Sequence, residues 1–321
     1  MAASCRLAAL LALLAAAPGH AQSLPLYHSA NPAAEARSGL YFQPLVAPAG
    51  GWRFQLGVDY ASMLEFGLRT SVADTSYLLD AEVLRLNLSA THDLGARGFL
   101  VAELPLGGAY PGFLDGFLDW YHGIFGINYP ERDARRHNDF GYRYEFPDGR
   151  TVRFKARGAA LGDARIGLGL RHSARAQSVL SLTLPTSTAG PGFRRGQPSL
   201  SLLNTFRVPL APRLVHEGSI NLGYTPRDGR LHSIQERLFF LGTSGARWRT
   251  VGSLWSFANL YLHSPYYSGA VARQLDRWDL TIDFGWMIRG KGGREFRFGM
   301  SEDLWPSGPA IDANFRVGYA W

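Results

Sequence analysis

Apolar and polar residues alternate along most of this chain with the two-residue period of an extended strand. The pattern begins at Trp52: Trp52, Phe54, Leu56, Val58 and Tyr60 share one face, and Arg53, Gln55, Gly57 and Asp59 share the other. It recurs over Asp80 to His92, Gly98 to Pro105, Asp163 to His172, Gln177 to Leu184, Ser199 to Val208 and Leu214 to Tyr224. Further strands are expected over Gln235 to Thr243, Gly252 to His263, Trp278 to Ile288, Arg294 to Leu304 and Ile311 to Trp321. The alternation is cleanest over Asp163 to His172, where Ala164, Ile166, Leu168 and Leu170 oppose Arg165, Gly167, Gly169 and Arg171. Faces are ambiguous only for the strands starting near Gln235 and Gly252.

The joints between these strands alternate in length. Asp93 to Arg97, His172 to Ala176, Val208 to Arg213, Ser244 to Thr250 and Arg289 to Gly293 are short. The intervening joints, Ser62 to Leu79, Leu106 to Gly162, Pro185 to Pro198, Thr225 to Ile234, Ser264 to Arg277 and Trp305 to Ala310, are longer with one exception. An even number of strands, oil on one face of each, and short turns at one end against long loops at the other describe a closed barrel that crosses a lipid layer. The fold expected is all-β: a single antiparallel transmembrane β-barrel of about 12 strands spanning residues 52–321, with the long loops facing out of the cell and the short turns facing the periplasm. Trp52, Tyr60, Tyr224, Trp278, Tyr319 and Trp321 fall near strand ends, where aromatic girdles form.

Two stretches break the pattern. Residues 22–51 carry Pro25, Pro32, Pro44 and Pro48 and are expected to be an irregular periplasmic lead-in or a plug entering the lumen. The joint over 106–162 is too long for a structureless connection, so it is expected to be a folded extracellular loop. Its first half, Phe113 to Gly126, has helical spacing: Phe113, Phe117, Trp120 and Ile124 form a stripe opposite Asp115, Asp119 and His122. Gly116 and Gly123 weaken such a helix by ~1 kcal/mol each. Its second half, with Tyr142, Tyr144 and Phe146 running into Pro147, Asp148 and Gly149 and out through Val152 and Phe154, signals a hairpin. Helix and hairpin are both expected to cap or enter the external mouth.

Composition narrows the compartment. Arg6, an apolar run from Leu7 to Ala17 and small residues up to Ala21 make residues 1–21 an expected cleaved signal peptide, and export together with the barrel pattern gives the outer membrane of a Gram-negative bacterium as the expected location. Cys5, the single cysteine, leaves with that segment, so no thiol remains for disulfide, nucleophile or metal work. The net charge of +7 is carried by arginines dispersed over strands and loops rather than by a basic helix. That dispersion argues against nucleic acid and for an arginine-lined lumen or loops facing anionic lipopolysaccharide.

The last strand presents Phe315, Val317, Tyr319 and Trp321 on one face. It resembles the C-terminal signature of bacterial outer-membrane barrels, a resemblance that implies the barrel assembly machinery as a partner through those four residues. The segment FLDGFLDWYHGIFGINYPERDARRHNDF, with LHSPYY, FGMSEDLW and the strand after GDARIGLGL, resembles an uncharacterised family of Gram-negative outer-membrane barrels classed as a domain of unknown function. The likeness covers nearly the whole mature chain and implies a barrel fold and a surface location; from the chain's own pattern the barrel is expected to be monomeric and in contact with outer-membrane lipid and lipopolysaccharide. The likeness carries over no reaction.

The candidate chemistry is sparse. Arg85, Arg165, Arg171, Glu217, Asp283 and Arg316 fall on lumen faces, where they either set ion preference in a pore or pair into a closed pillar. Asp115, Asp119 and His122 offer one side of a metal or general-base site, although the plainer reading is the polar face of a helix that touches water or lumen arginines. A lipid-acting hydrolase would draw on His263, with Ser264 or a distant serine, and on Glu302 or Asp303 to orient the imidazole. Phosphate loops, zinc spacings and nucleotide fingerprints are absent, and no cofactor, metal or committed catalytic residue is expected. The leading expectation is a narrow, weakly anion-preferring channel or binding module for a small solute or hydrophobic compound. The alternatives are a lipid- or lipopolysaccharide-modifying hydrolase and a structural or adhesion barrel with a sealed lumen.

Overall fold

The computed structural model describes residues 29–37, 45, 50–67, 75–124, 126, 136–269, 274–291, 294–304 and 313–321; the expected signal segment, residues 1–21, lies outside them. In chain order the elements are a one-turn helix α1 (Pro32–Glu35), β1 (Trp52–Gly67), β2 (Ser76–Asp93), β3 (Gly98–Tyr110), α2 (Asp115–Ile124), β4 (Gly141–Glu145), β5 (Thr151–Arg153) and β6 (Arg157–Leu161). There follow β7 (Arg165–Ser173), β8 (Ala176–Thr183), β9 (Ser199–Ala211), β10 (Leu214–Tyr224), a 3-10 turn (Gly229–Ile234), β11 (Leu238–Val251), β12 (Leu254–His263), β13 (Asp279–Arg289), β14 (Glu295–Asp303) and β15 (Ala313–Ala320).

Each of β1, β2, β3 and β7 to β15 pairs antiparallel with its neighbours in sequence order, and β1 pairs with β15 to close a twelve-strand barrel. Closure satisfies every edge, which a lipid layer demands. The terminal residue takes part: Trp321 N donates to Phe54 O and Phe54 N donates to Trp321 O, both at 3.0 Å. The three remaining strands lie off the ring. β4 continues the sheet beyond Ser76–Asp80 of β2 and carries β5, and β6 pairs with the far half of β3.

Joints 94–97, 174–175, 212–213, 252–253 and 290–294 lie at one end, and the six longer connections lie at the other. Two expected boundaries move. β11 runs through to Val251, so Ser244 to Thr250 is strand rather than turn, with Ser244, Gly245 and Ala246 registered against Gly218, Glu217 and His216. Small residues there serve close approach, since a Cβ on Gly245 would meet Asn259 Oδ1 at 1.9 Å. β3 likewise continues past Pro105 to Tyr110, so the long connection begins at 111 and not at 106.

Burial is inverted relative to a water-soluble protein. Leu168, Leu180, Leu200, Leu222, Trp286 and Val317 point out and are about half exposed, while Asp59, Arg85, Glu217, Asp283, Arg297 and Arg316 point in and are buried. Among the described residues the largest apolar cluster sits inside the long-loop end. There Tyr142, Tyr144, Phe146 and Val152 of the β4/β5 hairpin meet Tyr77, Leu231, Ile234, Tyr266, Tyr267 and Leu275 over Ala30, Ala33 and Ala34.

The hairpin therefore lies over the mouth at the long-loop end, but α2 does not. It lies on the outside of the wall, across the join between first and last strands: Phe113 meets outward-facing Tyr60 of β1 at 5.3 Å, and Phe117 meets Phe315 of β15 at 6.1 Å. The cause is Glu82, an outward-facing carboxylate of β2. It accepts the amides of Phe113 (2.8 Å) and Leu114 (2.5 Å), together with the Tyr60 hydroxyl. These amides immediately precede the helix, at the end where a negative charge is favoured. Gly112, at φ +73°, passes directly over that carboxylate, where any Cβ would collide with it. Phe113, Trp120 and Ile124 are left exposed on the outer surface.

Candidate functional site

The alternation that places Leu and Phe outside places a charged ladder inside. Toward the short-turn end, Asp93 pairs with Arg53 (2.8 Å) and with Arg171. Glu295 pairs with Arg297 (3.1 Å) and Arg289 (3.2 Å), and Arg297 also donates to Gln55 at 2.9 Å. Glu217 is gripped by Arg207 (2.5 Å) and Arg247 (2.7 Å). At mid-height Arg316 joins Asp59 (2.6 Å) to Asp283 (3.0 Å), and Asn87 and Asn259 donate to these two carboxylates at 3.2 Å. Nearer the mouth Arg165 pairs with Glu103 at 2.8 Å. All six lumen residues singled out in the sequence, Arg85, Arg165, Arg171, Glu217, Asp283 and Arg316, thus face inward and are buried with partners.

Residues 29–37 complete this interior. Their partners come from around the ring, which puts the segment inside the mouth rather than against one wall. Asn31 donates to Glu65 of β1 (2.6 Å) and also caps α1 through Ala33 N (2.9 Å). Arg85 of β2 donates to Ser29 O (2.7 Å) and pairs with Glu35, while Arg165 of β7 lies 3.9 Å from Glu35. Arg195, in the connection after β8, donates to Glu35 O (3.0 Å), and Tyr267 donates to Ala33 O (3.4 Å). Arg37 donates to the carbonyls of Pro226 (2.9 Å), Thr225 (3.0 Å) and Glu236 (2.5 Å). Burial pushes the Arg37 guanidinium below its usual value, yet the group stays cationic near neutrality. Burial lifts the Tyr267 phenol, with Arg37 pulling against it, so its hydroxyl remains a donor.

The other sequence candidates fall outside this interior or on its edge. Asp115 and Asp119 do not face lumen arginines. Asp115 accepts from Asn138 N (2.6 Å), Asp119 pairs with His137 (2.8 Å), and His122 is buried beneath α2 on the outer wall. Among the described residues no cluster of three metal-ligating side chains is found. His263 is buried in the lumen, its ring stacked on Tyr266 at 4.0 Å and its Nδ1 turned to the Ser264 carbonyl, while the Ser264 hydroxyl accepts from Phe240 N at 2.9 Å. Glu302 and Asp303 sit side by side on β14 and so diverge to opposite faces.

Sequence reasoning did not single out Arg53, Asp59, Asp93, Glu103 or Glu295, although for Arg53, Asp59 and Glu103 the alternation already gave the inward face. It had no signal for Glu35, Arg37 or Arg195, which stand in stretches without period.

Residues 8–321 match the family described as Protein of unknown function (DUF3187). No curated protein matches the chain. Among solved structures, the COG4313 outer membrane channel from Pseudomonas putida F1 is similar with a TM-score of 0.55 and 12% identity, over 86% of this chain and 97% of that one. The P. putida toluene transporter TodX is similar with a TM-score of 0.43 and 11% identity, over 90% and 92%. The NanC porin is similar with a TM-score of 0.45 and 5% identity, over 84% and 98%. The first of these shares the fold.

Proposed function

We propose that this chain, which belongs to the family of unknown function DUF3187, is a narrow channel of the Gram-negative outer membrane, held here in a closed state by its own N-terminal segment. The observation that carries the reading is how residues 29–37 are held. They occupy the mouth of a lumen lined with charge, but hydrogen bonds and ion pairs fix them there, with no β-ladder to the wall. Such contacts are individually worth about 1 to 3 kcal/mol and can be exchanged for water or solute, whereas a strand in the ring cannot leave. The lumen's arginines exceed its carboxylates in each cluster around Asp93, Glu217 and Glu295, which favours anions in any opened path. The belt of exposed leucine and aromatic residues supports placement in lipid, and the P. putida protein that shares the fold is an outer membrane channel.

The test is solute entry into proteoliposomes. A variant lacking residues 29–37 should admit small anionic solutes faster than the intact chain, whereas equal, background rates for both would refute the reading. A sealed structural barrel is the second reading, favoured by the Asp59–Arg316–Asp283 cluster, in which inward-facing charges pair with one another. It predicts that background result.

A further inference from the structure

The plug does not fill the mouth. Beside it lies a cleft of about 60 Å³ between α1, β2, β3, β6 and the connection after β8. Small residues keep it open: Gly107, Ala109 and Ala160 line it and offer little side chain to fill it. A Cβ at Gly107 would meet the Leu84 carbonyl at 2.9 Å, so the bare wall there is a requirement of the backbone as well. Pro105, Leu106, Val83 and Phe193 make the lining apolar, and Arg85, Arg157 and Arg195 bring three guanidiniums to it against the carboxylates of Glu35 and Asp163.

These five charges are not equivalent. Asp163 is taken up by the backbone amides of Ser187 and Arg195, both at 2.9 Å. Arg195 bonds Ser199 and the Glu35 carbonyl, and Arg85 holds the Glu35 carboxylate and the Ser29 carbonyl. Arg157 is half-buried and donates to the Thr188 carbonyl, and no carboxylate among the described residues pairs with it.

We propose that this cleft binds a small organic carboxylate with an aromatic or short alkyl body. The inference rests on the channel reading and names the class of solute. Arg157 meets the carboxylate, and Phe193, Pro105 and Leu106 receive the body. Glu35 is itself a carboxylate on the plug, held by Arg85 and within 3.9 Å of Arg165, so its negative charge beside the cleft opposes that of an entering acid. A ligand that binds better when Glu35 is displaced also shifts the plug toward release.

The experiment is calorimetric titration of the purified full-length protein in detergent with benzoate and with benzamide, which matches benzoate in shape and lacks the charge. Benzoate is expected to bind at least about tenfold more tightly, the scale of one charge-assisted hydrogen bond. Arg157→Gln should erase that difference while the protein keeps its folded, heat-modifiable gel mobility, and Glu35→Gln should tighten benzoate. Equal binding of acid and amide, no binding of either, an acid preference that survives Arg157→Gln, or no gain in Glu35→Gln would each overturn the proposal. Solute entry through the variant lacking residues 29–37 is scored separately, so a working channel without benzoate binding would remove the ligand class alone.

Discussion

Arg316 of the last strand donates to Asp59 of the first at 2.6 Å, and the two residues stand opposite one another in the register that closes the barrel. The same guanidinium reaches Asp283 at 3.0 Å, so one side chain ties the closing join to β13 along the inner wall, past β14. Two buried carboxylates thereby share one cation. Removing the cation strands them both. Arg316→Met is expected to destabilise the folded barrel by about 3 to 5 kcal/mol, and Asp59→Asn by less because Asp283 remains. Adding Asp59→Asn and Asp283→Asn to Arg316→Met should recover most of the loss, as read by the urea concentration at which the heat-modifiable gel band disappears. A triple variant no more stable than Arg316→Met would show that the bridge does not set the stability of the join.

Glu82 should anchor α2 to the outer wall. Glu82→Ala removes the acceptor of the two amides just before the helix and of the Tyr60 hydroxyl. The expected cost is about 1 to 3 kcal/mol per stranded buried donor, confined to this element. Hydrogen exchange over residues 113–124 should accelerate while that of β1 and β15 stays unchanged. Unaltered exchange in the helix would mean that Phe113 and Phe117, through their contacts with Tyr60 and Phe315, hold it alone.

Arg37 is the plug's principal latch on the far side of the mouth. Arg37→Ala gives up three carbonyl contacts, to Pro226, Thr225 and Glu236. Losing charged hydrogen bonds of about 1.5 to 3 kcal/mol each biases the plug toward release, and open probability in single-channel records should rise about tenfold or more. Tyr267→Phe loses one longer bond, to Ala33 O at 3.4 Å, and should have a smaller effect.

The apolar cap should tolerate loss of a hydroxyl and not loss of a ring. Tyr144 is fully buried among Tyr77, Tyr142, Phe154 and Tyr267. Tyr144→Ala is expected to cost about 3 to 5 kcal/mol and Tyr144→Phe little, by the same urea assay.

Much of this was legible in the sequence because a strand's side-chain period is exact and a barrel repeats it. The alternation over Asp163 to His172 fixed which way Arg165 and Arg171 point, and the short and long joints fixed which ends go together. Where small residues interrupt the period the reading failed: Ser244, Gly245 and Ala246 look like a turn in sequence and are strand in the barrel. The placement of α2 was not readable at all. Its apolar stripe was plain, but the residue that decides its location, Glu82, sits on the lipid-facing side of β2, an unusual position for a carboxylate that makes sense only once the helix amides cover it. A plug was one of two readings of residues 22–51, but its contacts were equally opaque. Glu35, Arg37 and Arg195 have no periodicity, and their partners lie from 160 to 199 residues away in sequence for the contacts between them and to Glu236.

Planar-bilayer recording of the intact chain beside the variant lacking residues 29–37 tests the closed-channel account most directly. The account predicts rare or no current steps from the intact chain, and stable, anion-preferring steps from the variant. A variant that inserts as a folded barrel and stays silent would contradict it.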